Sequence, residues 1–178
     1  LAARGATVGL LCRDLEKGKR TQEEIRSQTG NDSVRVFRAD LASKAQIRTV
    51  AAEILEAFPR IDLLINNAGV VNLRYSETED GIETVFAVNH LGYFLLTQLL
   101  LDRLRESAPA RIVNVASLAA LRPRPNSIAY AASKAGMIGL TRRLAEAVAG
   151  AGVRVHANAP GLIQTEILPD VDRGVLDE

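Results

Sequence analysis

The sequence has little cysteine, little histidine and no long apolar run, and each shortage excludes a kind of site or segment. One cysteine, Cys12, rules out an internal disulfide, and nothing points to secretion. The two histidines, His90 and His156, have no partner at the spacing of a metal site or a catalytic triad. No apolar run reaches the roughly 18 residues of a membrane-spanning helix. We therefore expect no metal site and no membrane segment.

An excess of charge of one sign is also lacking. The formal net charge of +1 in 178 residues gives no support for a surface that binds nucleic acid or a membrane. Hydrophobic residues make up 47% and charged residues 24%, as is usual for soluble globular proteins. No internal repeat or linker divides the chain. The composition predicts one cytoplasmic domain over residues 1–178.

Short apolar runs alternate along the chain with stretches of helical periodicity. The expected strands are 6–12, 34–38, 61–65, 111–116 and 153–158. The expected helices are 14–29, one that starts at a Ser43–Gln46 capping box and stops at Pro59, 79–106, and 127–149. The strands are continuously apolar, which is typical of a parallel sheet that helices cover on both faces. The pattern predicts a doubly wound α/β fold.

Polar residues follow each predicted strand, where open α/β sheets bind their ligands. These clusters are Cys12-Arg13-Asp14, Asp40-Leu41, Asn66-Asn67-Ala68-Gly69, Ser117, and Asn158 to Gly161 with Thr165. One polar strand end is often a helix cap, but five at one edge indicate a binding rim.

Tyr130 and Lys134 stand four residues apart in a predicted helix, which places them on one face. A cation beside a phenol favours its ionised form, so the pair is a tunable acid or base. Ser117 ends the preceding strand and could hold a substrate oxygen against the phenol. Asn89 occupies a core-facing position of its helix, where an amide must be paired.

These residues resemble those of the short-chain dehydrogenase/reductase family. The matching motifs are NNAG at 66–69, Asn89 in VNHLG, Ser117 at the end of RIVNVAS, Tyr130 and Lys134 in YAASK, and Pro160-Gly161 with Thr165. They run through almost the whole chain in the family's order and spacing. The resemblance implies a Rossmann-like, NAD(P)-dependent oxidoreductase that transfers a hydride between NADP(H) and a carbonyl or a primary or secondary alcohol.

The resemblance also assigns roles to the residues. Tyr130 would be the catalytic acid or base, with Lys134 favouring its ionised form and binding the nicotinamide ribose. Ser117 would orient the substrate oxygen, and Asn89 would hold a water that relays protons to Lys134. The remaining contacts to the cofactor would come from Arg13, Asp40, Leu41, Asn67, Ala68, Gly69, Pro160, Gly161 and Thr165. Of these, Asp40 and Leu41 would border the adenine.

The choice between NADP and NAD depends on the end of the first predicted strand. An arginine there suits the 2′-phosphate of NADP, whereas a carboxylate binds the free ribose hydroxyl of NAD. Arg13 therefore favours NADP. Asp14 either caps the next helix or reaches the ribose, which would favour NAD. The run CRDLEKG at 12–18 resembles retinol-dehydrogenase-like members of the family.

The chain departs from the family pattern at both ends. The Gly-rich phosphate loop with the family's first strand, and the last helix and strand, have no counterpart here. In the family's strand order that first strand lies between the strands at 6–12 and 61–65, so we expect a gap there. We also expect the 178-residue chain alone to bind dinucleotide poorly; a clear rise of its melting temperature with NADPH would contradict this.

Other interpretations stay open at this stage. A non-catalytic dinucleotide-binding sensor or interaction module of the same fold is the main alternative, and an epimerase or dehydratase is another. Small residues around Lys134 favour a homodimer or homotetramer, although they equally permit close packing within one chain. These small residues are Ala131, Ala132, Ser133, Ala135 and Gly136. Arg122 and Arg124 would suit an anionic substrate or simply be solvated.

Overall fold

Five parallel strands and the helices between them make up the part of the chain that the structure describes. The computed structural model describes residues 1–72, 74–122 and 128–161. The strands are β1 (Val8–Cys12), β2 (Val34–Arg38), β3 (Leu63–Asn66), β4 (Ala110–Val115) and β5 (Val153–Asn158). The helices are α1 (Leu15–Thr29), α2 (Lys44–Ala57), α3 (Thr84–Phe86), α4 (Gly92–Glu106) and α5 (Ile128–Val148). Parallel strands with flanking helices confirm the predicted doubly wound α/β fold.

The strands form two parallel sheets. One sheet pairs β1 with β2, and the other has the order β3-β4-β5. The register places Cys12 opposite Arg38 in the first sheet and Asn66 opposite Asn114 in the second. Among the described residues no strand joins β1 to β3, which agrees with the gap expected between these two strands. The two halves are held together by one apolar core, to which both α2 and α4 contribute.

The start of α2 differs from the predicted capping box in one bond. Ser43 Oγ accepts from the Gln46 amide at 3.3 Å, as expected. The Gln46 carboxamide, however, accepts from the amide of Asp40 at 3.0 Å and not from that of Ser43. The Ser43 amide is already bonded to the Asp40 carbonyl at 3.0 Å, so it has no need of the glutamine. The reciprocal capping box was therefore a wrong prediction.

The long helix begins at Thr84, later than the predicted start at 79. Gly81 has a φ of 70°, which is outside the helical range, so the chain turns at that residue. Glu83 then caps the helix, because its carboxylate accepts from the amides of Val85 at 2.9 Å and Phe86 at 2.7 Å. The apolar periodicity of the predicted helix continues across this turn, so periodicity alone places the start of the helix too early.

A π-helical turn, Ala87–Leu91, joins α3 to α4 without a break. The continuous helix Thr84–Glu106 has a mean hydropathy of 1.4 over its most apolar window, of which 56% is buried. By length and composition alone this helix is able to cross a membrane, whereas the sequence analysis expects no membrane segment. A core helix passes the same test, and Leu96, Leu100 and Leu104 of this helix belong to the core.

Arg103 of α4 holds the end of α2. Its Nη1 donates to the carbonyl of Leu55 at 3.0 Å and to that of Phe58. Both carbonyls lie at the C-terminal end of α2, where backbone acceptors lack partners within the helix. Arg105, by contrast, has exposed Asp102 as its one side-chain partner among the described residues.

We expect Arg103→Met to lower the free energy of unfolding by about 1–3 kcal/mol, because two carbonyls lose a charged donor. Urea unfolding measures this. Arg105→Met is the matched control and should stay within about 0.5 kcal/mol of the wild type. Equal effects of the two substitutions would contradict the role given to Arg103.

Candidate active site

The carboxyl ends of β3, β4 and β5 lie side by side and are followed by the predicted site residues Asn67, Ala68, Gly69, Ser117, Pro160 and Gly161. The amide of Ala116, just after β4, donates to the Asn158 carbonyl at 2.7 Å. The amide of Leu118 donates to the Pro160 carbonyl at 3.0 Å. The segment that follows Ser117 is therefore fixed against Pro160 and Gly161. Thr165 lies outside the described residues.

Lys134 is the charged group at the centre of this edge. It is only 3% exposed, and its Nζ donates to the Val115 carbonyl at 2.7 Å. Burial lowers the pKa of Lys134 from the ordinary value of 10.5. A Cβ at Gly69 would lie 3.6 Å from Nζ, so the turn after β3 passes directly over the ammonium. An ammonium has three donors, and the Val115 carbonyl is its one acceptor within the part of the chain that the structure describes, so two donors are proposed to serve a ligand.

Tyr130 lies near Lys134 on α5, as the spacing predicted, and Ser117 follows two residues after the carbonyl of Val115 that accepts from Lys134. The Lys134 Nζ lies 5.8 Å from the centroid of the Tyr130 ring, one helical turn away on α5. Ser117 Oγ accepts from the amide of Ala119 at 3.2 Å and so caps a 3₁₀ turn at Leu118–Ala120. Because the hydroxyl oxygen only accepts in this bond, its hydrogen remains available to a substrate.

Asn89 is completely buried in the π-helical turn, as its core-facing position predicted. Its Oδ1 accepts from the Val70 amide at 2.8 Å, and its Nδ2 donates to the Val70 carbonyl at 2.9 Å. A longer bond of 3.4 Å joins Nδ2 to Ser133 Oγ. The Asn89 side chain therefore holds the turn after β3. Both the oxygen and the nitrogen of its side-chain amide are bonded to protein groups.

Asn66 belongs to a second set of buried polar side chains, whose other members, Asn114, Thr97 and Thr141, were missed by the sequence reasoning. Asn66 Nδ2 donates to Asn114 Oδ1 at 2.8 Å and to Thr97 Oγ1 at 3.1 Å. Asn114 Nδ2 continues to Thr141 Oγ1 at 2.9 Å. These bonds cross from β3 to β4 and on to α5. The signal was present, because Thr97 and Thr141 occupy core-facing helix positions in the same way as Asn89.

Tyr93 completes the support of the turn that follows β3. Its hydroxyl donates to the Ala68 carbonyl, and burial raises the pKa of this phenol above its ordinary value of 10.0. Tyr93 is therefore a neutral structural donor. Asn67 of the same turn is exposed. The turn is thus fixed by Tyr93 and Asn89 while its outer surface stays accessible.

The remaining predicted residues lie at the carboxyl ends of the other sheet. Arg13 is exposed directly after β1. Asp14 caps α1, since its Oδ1 accepts from the amides of Glu16 at 3.0 Å and Lys17 at 3.1 Å. Asp40 Oδ1 accepts from the Ala42 amide at 2.9 Å.

The Leu41 backbone packs against the long helix. A Cβ at position 92 would lie 2.7 Å from the Leu41 carbonyl oxygen, so only glycine fits there.

The burial of Lys134 predicts a pH dependence of stability. The unfolded chain keeps the lysine proton up to pH about 10.4, whereas the folded chain releases it at lower pH. Between these two values the unfolded state binds more protons, so the free energy of unfolding rises with pH.

Lys134→Met lacks this contribution. We expect the wild type to gain stability relative to the variant as pH rises toward about 10, because shared titrations cancel in the difference. Urea unfolding of both proteins across this range measures it. A difference that stays constant with pH would contradict the prediction.

Comparison with known proteins agrees with this geometry. Residues 1–175 match the family profile described as short chain dehydrogenase. Human retinol dehydrogenase 13 is 44% identical over 180 residues, covering 94% of this chain and 54% of the relative. Mouse retinol dehydrogenase 12 is 45% identical over 179 residues, covering 94% and 57%. The chain thus spans little more than half the length of these curated relatives.

A solved structure shares the fold. The active-site complex of RhlG with NADP from Pseudomonas aeruginosa superposes with a TM-score of 0.83 at 32% identity. The match covers 100% of this chain and 70% of that one. With the family match over nearly its whole length, the chain belongs to the short-chain dehydrogenase family of oxidoreductases, and its relatives include retinol dehydrogenases.

Proposed function

We propose that this chain provides the catalytic site of an NADP-dependent oxidoreductase that interconverts a carbonyl and an alcohol. The observation that carries the proposal is Lys134: a nearly fully buried ammonium beside the Tyr130 ring, with a backbone carbonyl as its hydrogen-bond acceptor. A structural lysine would be expected to be exposed or paired with a carboxylate. Buried charged groups with a shifted pKa are typical of catalytic sites.

The groups around Lys134 suit acid catalysis at a substrate oxygen. In the reductive direction Tyr130 donates its hydroxyl proton to that oxygen, and the positive charge of Lys134 stabilises the phenolate that is left. Ser117 donates its free hydroxyl hydrogen to the same oxygen and orients it. In the oxidative direction the same phenolate accepts the alcohol proton.

The residues present also suit the nicotinamide end of a dinucleotide. The two remaining donors of Lys134 can bind ribose hydroxyls, and the absence of a side chain at Gly69 leaves room directly above the ammonium. When bound, the cofactor supplies or accepts the hydride. Asn67, Ala68, Pro160 and Gly161 lie along the same edge and are proposed as further contacts, together with Asp40 and Leu41 near the adenine.

Three features support NADP over NAD. The Asp14 carboxylate caps α1 through Oδ1, which favours a capping role over that of a ribose acceptor in an NAD site. Arg13 is exposed at the end of β1, and exposed Arg38 lies opposite Cys12 in the register. Two guanidinium groups at one edge suit a 2′-phosphate. RhlG, which shares the fold, is the third, because its active-site complex contains NADP.

An apolar primary alcohol or aldehyde is the substrate class we propose. Large apolar side chains are exposed in the three segments next to the proposed catalytic residues in sequence: Val71 in the segment after β3, Leu121 after Ser117 and Ile128 at the start of α5. Ile128 is 87% exposed, so its side chain is accessible to an apolar ligand. The relatives named retinol dehydrogenases point to the same class.

Location and assembly are further proposals. We retain the cytoplasmic location and the homodimer or homotetramer from the sequence. Ala132 and Ala135 are exposed on α5 and suit a close helix contact between copies, whereas Ser133 and Gly136 are used within the chain. The single domain over residues 1–178 likewise remains a proposal.

Tyr130→Phe tests the catalytic role. We expect kcat for carbonyl reduction to fall by about 10²- to 10⁴-fold, because the proton donor is removed while the ring stays. NADPH oxidation by the full-length protein over a panel of apolar aldehydes and ketones measures it. Tyr75→Phe, at an exposed tyrosine, is the control and should keep wild-type turnover. Absent turnover in wild type and variant alike would favour the non-catalytic sensor.

Arg13→Ala tests the cofactor preference. We expect the KM for NADPH to rise about 10- to 100-fold while that for NADH changes little, because only the phosphate loses a charged donor. Arg154→Ala, at the amino end of β5, is the matched control for charge. An unchanged ratio of the two KM values in Arg13→Ala would reject NADP as the preferred cofactor.

A further inference from the structure

His90 follows Asn89 in the π-helical turn, and the proposed chemistry gives it no role. Its ring packs on Phe86 at 5.1 Å between centroids, within the same helix. Its Nδ1 is buried without a partner among the described residues, and burial lowers the pKa of His90, which favours the neutral imidazole. The ring therefore acts through its shape and position.

The other side of the ring rests on Gly136 of α5. A Cβ at Gly136 would lie 3.1 Å from Cε1, 3.1 Å from Nδ1 and 3.3 Å from Nε2 of His90. Such distances are shorter than ordinary van der Waals contacts, so even one methyl group would press against the imidazole. The ring thus sets the closest approach of the π-helical turn to α5.

Gly136 has no local reason to be glycine. It lies in the interior of the 21-residue helix α5, where alanine is the more stable choice. For Gly139 in the same helix, no described atom other than the adjoining helix backbone lies within 4 Å of the Cβ position. Position 136 therefore differs from position 139 in having the imidazole above it.

The same helix pair carries the catalytic groups. Asn89 bonds to Ser133, and Ser133 Oγ donates to the Tyr130 carbonyl at 2.7 Å. Lys134 follows Ser133, two residues before Gly136. If the distance between the π-helical turn and α5 changes at His90, Asn89 therefore moves relative to α5. The turn after β3, which Asn89 holds above Lys134, moves with it.

We propose that His90 is a positioning residue: its ring, seated on Gly136, sets the spacing between the turn carrying Asn89 and the helix carrying Tyr130 and Lys134. This rests on the proposed oxidoreductase function for its kinetic consequence only. The spacing can be followed independently of catalysis by deuterium exchange at the Val70 amide, because that amide is bonded to Asn89.

The test compares Gly136→Ala with Gly139→Ala, each alone and in a His90→Ala background, in the full-length protein. For Gly136→Ala we expect kcat to fall about tenfold, since a misplacement of about 1 Å can cost about 10²-fold and a methyl group displaces less. The KM for NADPH should change little, and deuterium exchange at Val70 should accelerate. Gly139→Ala should leave kcat and Val70 exchange at wild-type values.

His90→Ala removes the ring that the methyl group meets. Adding Gly136→Ala to it should therefore cause no further loss of kcat and no further rise of Val70 exchange. If Gly136→Ala alone folds too poorly to assay, the double variant should recover folding; failure to recover contradicts the proposal. Equal behaviour of the two glycine variants, or an undiminished Gly136→Ala effect without the ring, overturns it.

The exchange measurement separates the two hypotheses. If the wild type turns over no carbonyl, the proposed function fails, while Val70 exchange still decides whether His90 sets the spacing. If the wild type is active and the two glycine variants match it in kcat and exchange, the positioning role alone fails.

Discussion

The burial of the Lys134 ammonium is the constraint on which the rest of the site depends. A charge taken out of water must be given hydrogen bonds in return, and here the acceptor is the Val115 carbonyl at the end of β4. That bond fixes the height of α5 against the sheet. Tyr130, one turn earlier on α5, and Ser117, two residues beyond Val115, are brought to the same edge by this single attachment.

Two asparagines of the site stabilise different parts of the structure. Asn66 links β3 to β4 through Asn114, which strengthens the sheet from within. Asn89 binds both backbone groups of Val70 and so shapes the turn above Lys134. Buried amides are costly unless their donors and acceptors are paired. The turn beside Lys134 is therefore held by hydrogen bonds from the buried side chains of Asn89 and Tyr93.

The fold was largely predictable because strand and helix periodicities are local signals. Lys134, Tyr130 and Asn89 were found from spacing and from a polar residue in an apolar stripe. The start of the long helix at Thr84 was not predictable, because Gly81 and the Glu83 cap set it while the apolar periodicity continues through both residues. The bond from the Asp40 amide to the Gln46 side chain was also missed, because the chain must turn at Asp40 for this amide to reach Gln46. The contact of His90 with Gly136 joins distant positions, and no local pattern reports it.

The π-helical turn Ala87–Leu91 carries one residue more than a regular helix would need. Asn89 within it and Tyr93 just after it bond to opposite ends of the same short segment, Ala68 to Val70. Deleting one residue here would leave hydropathy and helix length almost unchanged, yet would rotate one of the two side chains by about 100° relative to the other. Among homologous chains, the length of this turn should therefore be under stronger selection than its apolar composition.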